Sequence, residues 1–131
     1  MKEISIVLPD EPGQLAKVSR AMADAEVNIE TICAIGRVAP NVAIVTHQVE
    51  AASKVLVELG IEHHVEELIS MVMPDVPGSL ARFAETLGSS GVNIRSIYVL
   101  SKRTGDTELV FSVDNVQAAR QALNLHESSP P

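Results

Sequence analysis

Two bends in this chain gather the same reactive and backbone groups twice. Pro9-Asp10-Glu11-Pro12-Gly13-Gln14-Leu15-Ala16 returns as Pro74-Asp75-Val76-Pro77-Gly78-Ser79-Leu80-Ala81, and Val27-Asn28-Ile29 returns as Val92-Asn93-Ile94, both at an offset of 65. Gly13 and Gly78 permit close backbone approach. The unpaired N–H groups of the helix starts that follow, at residues 14–16 and 79–82, make a modest positive site suited to a carboxylate. Asp10 and Asp75 supply the opposite charge, which an ammonium group would answer, and Asn28 and Asn93 offer both donors and acceptors. A small molecule bearing both charges would find partners for each. A structural reading stands beside this one: Asp10 and Asp75 as helix caps, Asn28 and Asn93 as stabilisers of the turn into a strand.

The elements that must hold these groups are also written twice. Residues 9–36 align on 74–101 without a gap, with ten of 28 positions identical, and the identities gather at the bend and the helix exit. Packing alone would spread them over the apolar positions. A 65-residue period is too long for a solenoid repeat and suits a small domain. Domains of about 60 residues are marginal alone, so the halves are expected to share an interface. No linker separates Glu67 from Leu68.

Residues 3–8 and 68–73 are short apolar runs, expected as strands. Leu15, Val18 and Met22, matched by Leu80, Phe83 and Leu87, fall on one helical stripe expected to face the core. Gly91 stands where the second repeat's helix ends and takes the left-handed conformation cheaply; Glu26 occupies that place in the first, at a cost of roughly 1 kcal/mol. Strand pairs joined by turns at 38–41 and 103–106 follow, then helices striped by Ala52, Val55, Leu56 and Leu59 and by Val116, Ala119, Ala122 and Leu123. Asp114 and Gln117 resemble a capping box. Residues 61–67 complete a fourth strand, giving β-α-β-β-α-β, the ferredoxin-like unit.

The fourth strand of the second unit would be His126-Glu127-Ser128-Ser129-Pro130, a poor strand sequence, and is expected to be missing. In a 4-1-3-2 sheet that leaves strand 68–73 as an apolar edge, which a second copy of the chain is expected to cover. The expected organisation is thus unit 1 at residues 1–67, a truncated unit 2 at 68–126 and a disordered tail at 127–131.

A formal net charge of −7 and only two Phe and one Tyr argue against nucleic acid, which needs basic patches and stacking surfaces. No apolar run approaches the roughly 18 residues that cross a bilayer, and only three residues precede the first strand, so no membrane and no signal peptide are expected. Cys33 has no partner cysteine, in keeping with a reducing, cytoplasmic setting.

The succession of a strand, Asp-x-Pro-Gly-x-Leu-Ala opening an amphipathic helix, and Val-Asn-Ile entering the next strand resembles the ACT domain, in two tandem copies over nearly the whole chain. The spacing of 15 residues from Gly13 to Asn28, repeated in register, makes the resemblance specific. It implies an α+β fold of two ferredoxin-like units, antiparallel sheets with helices on one face, and side-by-side pairing of units. It also implies binding of a small molecule, most often an amino acid, where units adjoin. The residues carrying that site would be Asp10, Glu11, Pro12, Gly13, Gln14, Leu15, Asn28 and Ile29, and Asp75, Val76, Pro77, Gly78, Ser79, Leu80, Asn93 and Ile94.

Other chemistry finds little footing. His63 and His64 are adjacent in a strand and point to opposite faces, so they do not chelate one ion together. Cys33 reads as a packing residue, with no histidine placed to activate it. No phosphate-binding glycine motif occurs, and an acylphosphatase-like site would want an arginine within 9–15, which has none. No cofactor, metal or catalytic residue is expected. The expectation is a non-catalytic, allosteric amino-acid-binding homodimer, acting on a separate enzyme or regulator; an assembly module without ligand is the alternative. The two pockets should differ in volume if Cys33 and Tyr98, at matched positions, face them.

Overall fold

The computed structural model describes residues 1–125, which divide into two compact units, the first Met1–Glu67 and the second starting at Leu68. The first runs β1 (Lys2–Val7), α1 (Gln14–Asp24), β2 (Thr31–Ile35), β3 (Asn41–Thr46), α2 (Val49–Glu58) and β4 (His64–Glu67). Its antiparallel sheet has the order β2-β3-β1-β4, with Ile4 opposite both Ile44 and Val65. Alternation along the strands turns Ile4, Ile6, Val42 and Ile44 to one face. There they meet Val18 and Met22 of α1 and Ala52, Val55 and Leu56 of α2.

The second unit runs β5 (Ile69–Pro74), α3 (Ser79–Ser89), β6 (Ile94–Arg103), β7 (Asp106–Val113) and α4 (Val116–Ala122). Its sheet order is β5-β7-β6. Ile69, Met73, Leu109 and Phe111 pack beneath Phe83 and Leu87 of α3. Phe83 meets Phe111 edge to face at 4.8 Å, a geometry worth about 0.5–1.5 kcal/mol beyond burial. Both units are α+β and ferredoxin-like, with antiparallel sheets and helices on one face. Among the described residues β5 has one unpaired edge; the strand expected to be missing at 126–130 and the tail at 127–131 lie outside them.

The four helices among the described residues stop by the same device. Glu26 (φ 58°), Gly60 (φ 71°), Gly91 (φ 72°) and Asn124 (φ 57°) are left-handed. The N–H of the next residue donates five residues back: Val27 to Met22 O (2.9 Å), Ile61 to Leu56 O (2.9 Å), Val92 to Leu87 O (3.0 Å), Leu125 to Arg120 O (2.8 Å). This is the Schellman closure, whose following apolar residue seals the helix end against the core. It explains the valine of Val-Asn-Ile, since Val27 and Val92 are both buried. Glu26 sits in the strained place that its sequence position indicates.

Two local expectations are corrected. Leu15 and Leu80 do not share the buried stripe: they are 43% and 57% exposed, because each lies in the first turn of its helix, where the chain has only just left the end of the sheet. The start of α4 is capped by Asn115, whose side chain accepts from Ala118 N–H at 3.0 Å. Asp114 is no cap, because its carboxylate accepts from Asn93 N–H (2.9 Å) while its own N–H donates to Asn93 O (3.1 Å).

Candidate functional site

Each Asp-x-Pro-Gly bend turns a strand into a helix through a left-handed glycine, Gly13 at φ 87° and Gly78 at φ 93°. Glycine itself occupies the N-cap, and no side chain caps either helix, so the capping role considered for Asp10 and Asp75 is absent. The first turn closes only weakly, through Gln14 N–H to Glu11 O at 3.4 Å and Ser79 N–H to Val76 O at 3.3 Å. The next two N–H groups, of Leu15 and Ala16 and of Leu80 and Ala81, have no acceptor inside an α-helix. At the second bend Arg82 folds back: its Nη2 donates to Ser79 Oγ at 3.4 Å, and its Nη1 lies 2.9 Å from where a β-carbon on Gly78 would sit.

The second bend opens on a cavity of about 210 Å³. Met73, Pro74 and Asp75 end β5 on one side, Val76, Ser79 and Leu80 close it from the bend and α3, and Val99 and Lys102 of β6 with Thr107 and Leu109 of β7 form its floor. Lys102 reaches it by a bulge. Val99 lies opposite Leu109 and Lys102 opposite Thr107, with a register shift between Val99 and Ser101. The extra residue turns Lys102 to the face that strict alternation from Val99 would deny it. Its Nζ then meets Asp75 Oδ2 at 3.0 Å, both side chains half exposed. Such a pair is worth at most about 1 kcal/mol, so a ligand's charges exchange against it at small cost.

Of the residues read from the sequence, Asp75, Val76, Ser79 and Leu80 line this cavity together, with Pro77 and Gly78 forming the bend above it. Lys102 and Thr107 were missed, because the bulge that aims Lys102 leaves no signature in a period-two reading. Tyr98 does not face the cavity: it lies opposite Val110, while its neighbour Val99 is the one in the wall. The expected contrast between Cys33 and Tyr98 as pocket residues is therefore corrected: in the second unit Val99, opposite Leu109, and not Tyr98 is the wall residue.

At the first bend Asp10, Glu11, Pro12 and Gly13 are exposed. Gln14 instead lines a wider opening of about 560 Å³ between the end of β1, the start of α1 and the approach to β4, where Lys17, Leu8, Ile61 and His64 also stand. Asn28 and Asn93 sit beyond the far ends of α1 and α3, some 16 Å of helix from their own bends. Asn28 N–H donates to Gln48 Oε1 (2.7 Å), Gln48 Nε2 donates to Glu26 O (2.7 Å), and Thr46 Oγ1 donates to Asn28 O (2.9 Å). Asp114 holds Asn93 in the same way. Ile29 and Ile94 pack against the two cores. Among the described residues no three of His, Cys, Asp and Glu gather as metal ligands, and no helix is long and apolar enough to cross a membrane.

Residues 68–128 match the ACT domain family. Over 96% of its length the chain is 34% identical to an aspartokinase of Mycobacterium tuberculosis, of which it covers 33%; it thus spans about a third of that relative. The regulatory subunit of aspartate kinase from Thermus thermophilus has the same fold, with a TM-score of 0.64 at 23% identity over 94% of this chain and 90% of that one. A protein from Bacteroides thetaiotaomicron superposes with a TM-score of 0.80 at 22% identity, over 94% and 85%.

Proposed function

We propose that this chain is a tandem-ACT, non-catalytic regulatory protein that binds an amino acid at its second Asp-Pro-Gly bend. One observation carries the reading. In the half that matches the ACT family, the bend, the helix start and the second strand line a cavity that brings a lysine and an aspartate beside a helix start whose first N–H groups have no acceptor within the helix. The N–H groups and Lys102 suit a carboxylate, and Asp75 suits an ammonium. Residues 1–67 form the other ACT unit, on the strength of the repeated bend and the repeated helix closure. Its ligand contacts would come from Asp10 through Leu15, and Asn28, Ile29, Asn93 and Ile94 would fix the strand entries that shape both sites.

The regulated partner is a metabolic enzyme, and an aspartate kinase is the first to test, given the sequence relation to aspartokinases. Coupling is allosteric and limited by the ligand's differential affinity for two arrangements of the protein. The cytoplasm is the proposed setting. A thermal-shift screen of the twenty amino acids tests the reading: a ligand at 100 times its Kd stabilises by about 2.7 kcal/mol. No shift with any of them would contradict it. The unpaired edge of β5 favours one second reading, assembly without ligand, in which the chain dimerises in the absence of any amino acid response.

A further inference from the structure

Resting on the proposed binding reading, we infer that Thr107 is the specificity-determining residue of the second-bend cavity, and that the cavity selects a small amino acid whose side chain carries a hydrogen-bonding group. Thr107 is 7% exposed and lines the cavity floor. Its Oγ1 is buried with no hydrogen-bond partner, and among the described residues it is the one side-chain nitrogen or oxygen in that state. Buried polar groups are nearly always paired, and an orphan signals a missing partner. Valine has the same shape and would end the penalty, so the hydroxyl has a reason to be there if a bound molecule supplies its partner.

The surroundings say where that partner sits. Thr107 lies opposite Met73 on one side and Lys102 on the other, with Leu109 next on the same face. Thr107 is thus the polar residue of a floor it shares with Met73, Val99 and Leu109, near the Lys102–Asp75 pair, its closed-off hydroxyl reaching a ligand once the side chain turns about χ1. A ligand whose carboxylate and ammonium meet Lys102, the free N–H groups and Asp75 would send its side chain toward Thr107. The cavity of about 210 Å³ falls below the roughly 300 Å³ at which drug-sized pockets begin, which restricts the occupant to a small molecule. Continuing the β1–β3 register puts Pro40 in the place of Thr107 in the first unit, where Leu8 N–H donates to Pro40 O. Proline has no hydroxyl, so the selection belongs to the second unit alone.

Calorimetric titration of the full chain with the twenty amino acids tests this, using wild type, Thr107→Val and Thr107→Ser, each checked for folding by circular dichroism. Wild type is expected to bind a polar amino acid at least tenfold more tightly than its apolar near-isostere, such as serine against alanine or asparagine against leucine. Thr107→Val should lose about tenfold for the polar ligand, some 1.4 kcal/mol, and leave the apolar one unchanged, while Thr107→Ser should keep the preference. Equal binding of both isosteres by wild type overturns the inference, and that outcome does not depend on any variant folding. An undiminished preference in folded Thr107→Val overturns it too, leaving the proposed function standing. No binding of any amino acid overturns both.

Discussion

At the residue scale, the side chains that matter are those whose surroundings do not satisfy them. Thr107 is the clearest. In the protein without ligand, Thr107→Val removes a buried hydroxyl with no partner, so stability should rise by about 1 kcal/mol; a fall in the denaturant midpoint would mean that the hydroxyl is paired. Glu26 is the second. Its left-handed backbone (φ 58°) strains a residue with a β-carbon, where the matching Gly91 is at ease, so Glu26→Gly should gain roughly 1 kcal/mol, read as a higher melting temperature. Asp75 is the converse case. Its pair with Lys102 is half exposed, so Asp75→Ala should move stability by less than about 1 kcal/mol while sharply weakening the response to an amino acid, and a full response in that variant would remove Asp75 from the site.

At the scale of elements, the repeated motifs divide into two tasks carried out at opposite ends of a helix. The bend opens the helix with exposed amide hydrogens. The Val-Asn-Ile exit closes it and is tied to the next helix, through Gln48 in the first unit and Asp114 in the second. Gln48→Ala removes two hydrogen bonds, at Asn28 and Glu26, and should cost the first unit about 1–2 kcal/mol, since both sites are near water; hydrogen exchange at Asn28 should quicken. The element order of the described residues, most of the two cores and the left-handed helix ends at Glu26 and Gly91 were legible because periods of 2 and 3.6 and a glycine at a helix end are local properties; the end at Asn124 was not read. Nor were Lys102 and Tyr98. One bulge between Val99 and Ser101 reverses which side chains face the helix, and nothing in a strand's composition marks a bulge. Leu15 and Leu80 misled for a related reason: a stripe tells which side of a helix is apolar, but not where the sheet beneath it ends. Asp114 matched a capping pattern one residue early, because its carboxylate was already taken by the backbone of a residue 21 positions away.

At the scale of the whole molecule, two units of the same plan differ in what surrounds their bends. The second has a small cavity of about 210 Å³ with Thr107, whose hydroxyl is buried, in its floor; the first has a larger opening of about 560 Å³ running toward β4. A protein of this kind should take up its ligand with unequal affinity at its two bends. The β5 edge, with Val72 48% exposed, is an apolar template for strand pairing, so light scattering at micromolar concentration should find more than one chain per particle. A monomer there would contradict the pairing and leave binding at the cavity to be judged by itself. The central claim, an amino acid held at the second Asp-Pro-Gly bend, is tested most directly by amide chemical shifts during titration with the best-binding amino acid. Saturable movement should appear at Asp75, Leu80, Ala81, Lys102 and Thr107. If those amides stay still at saturation while shifts appear elsewhere, the ligand binds at another place and the account of this bend is wrong.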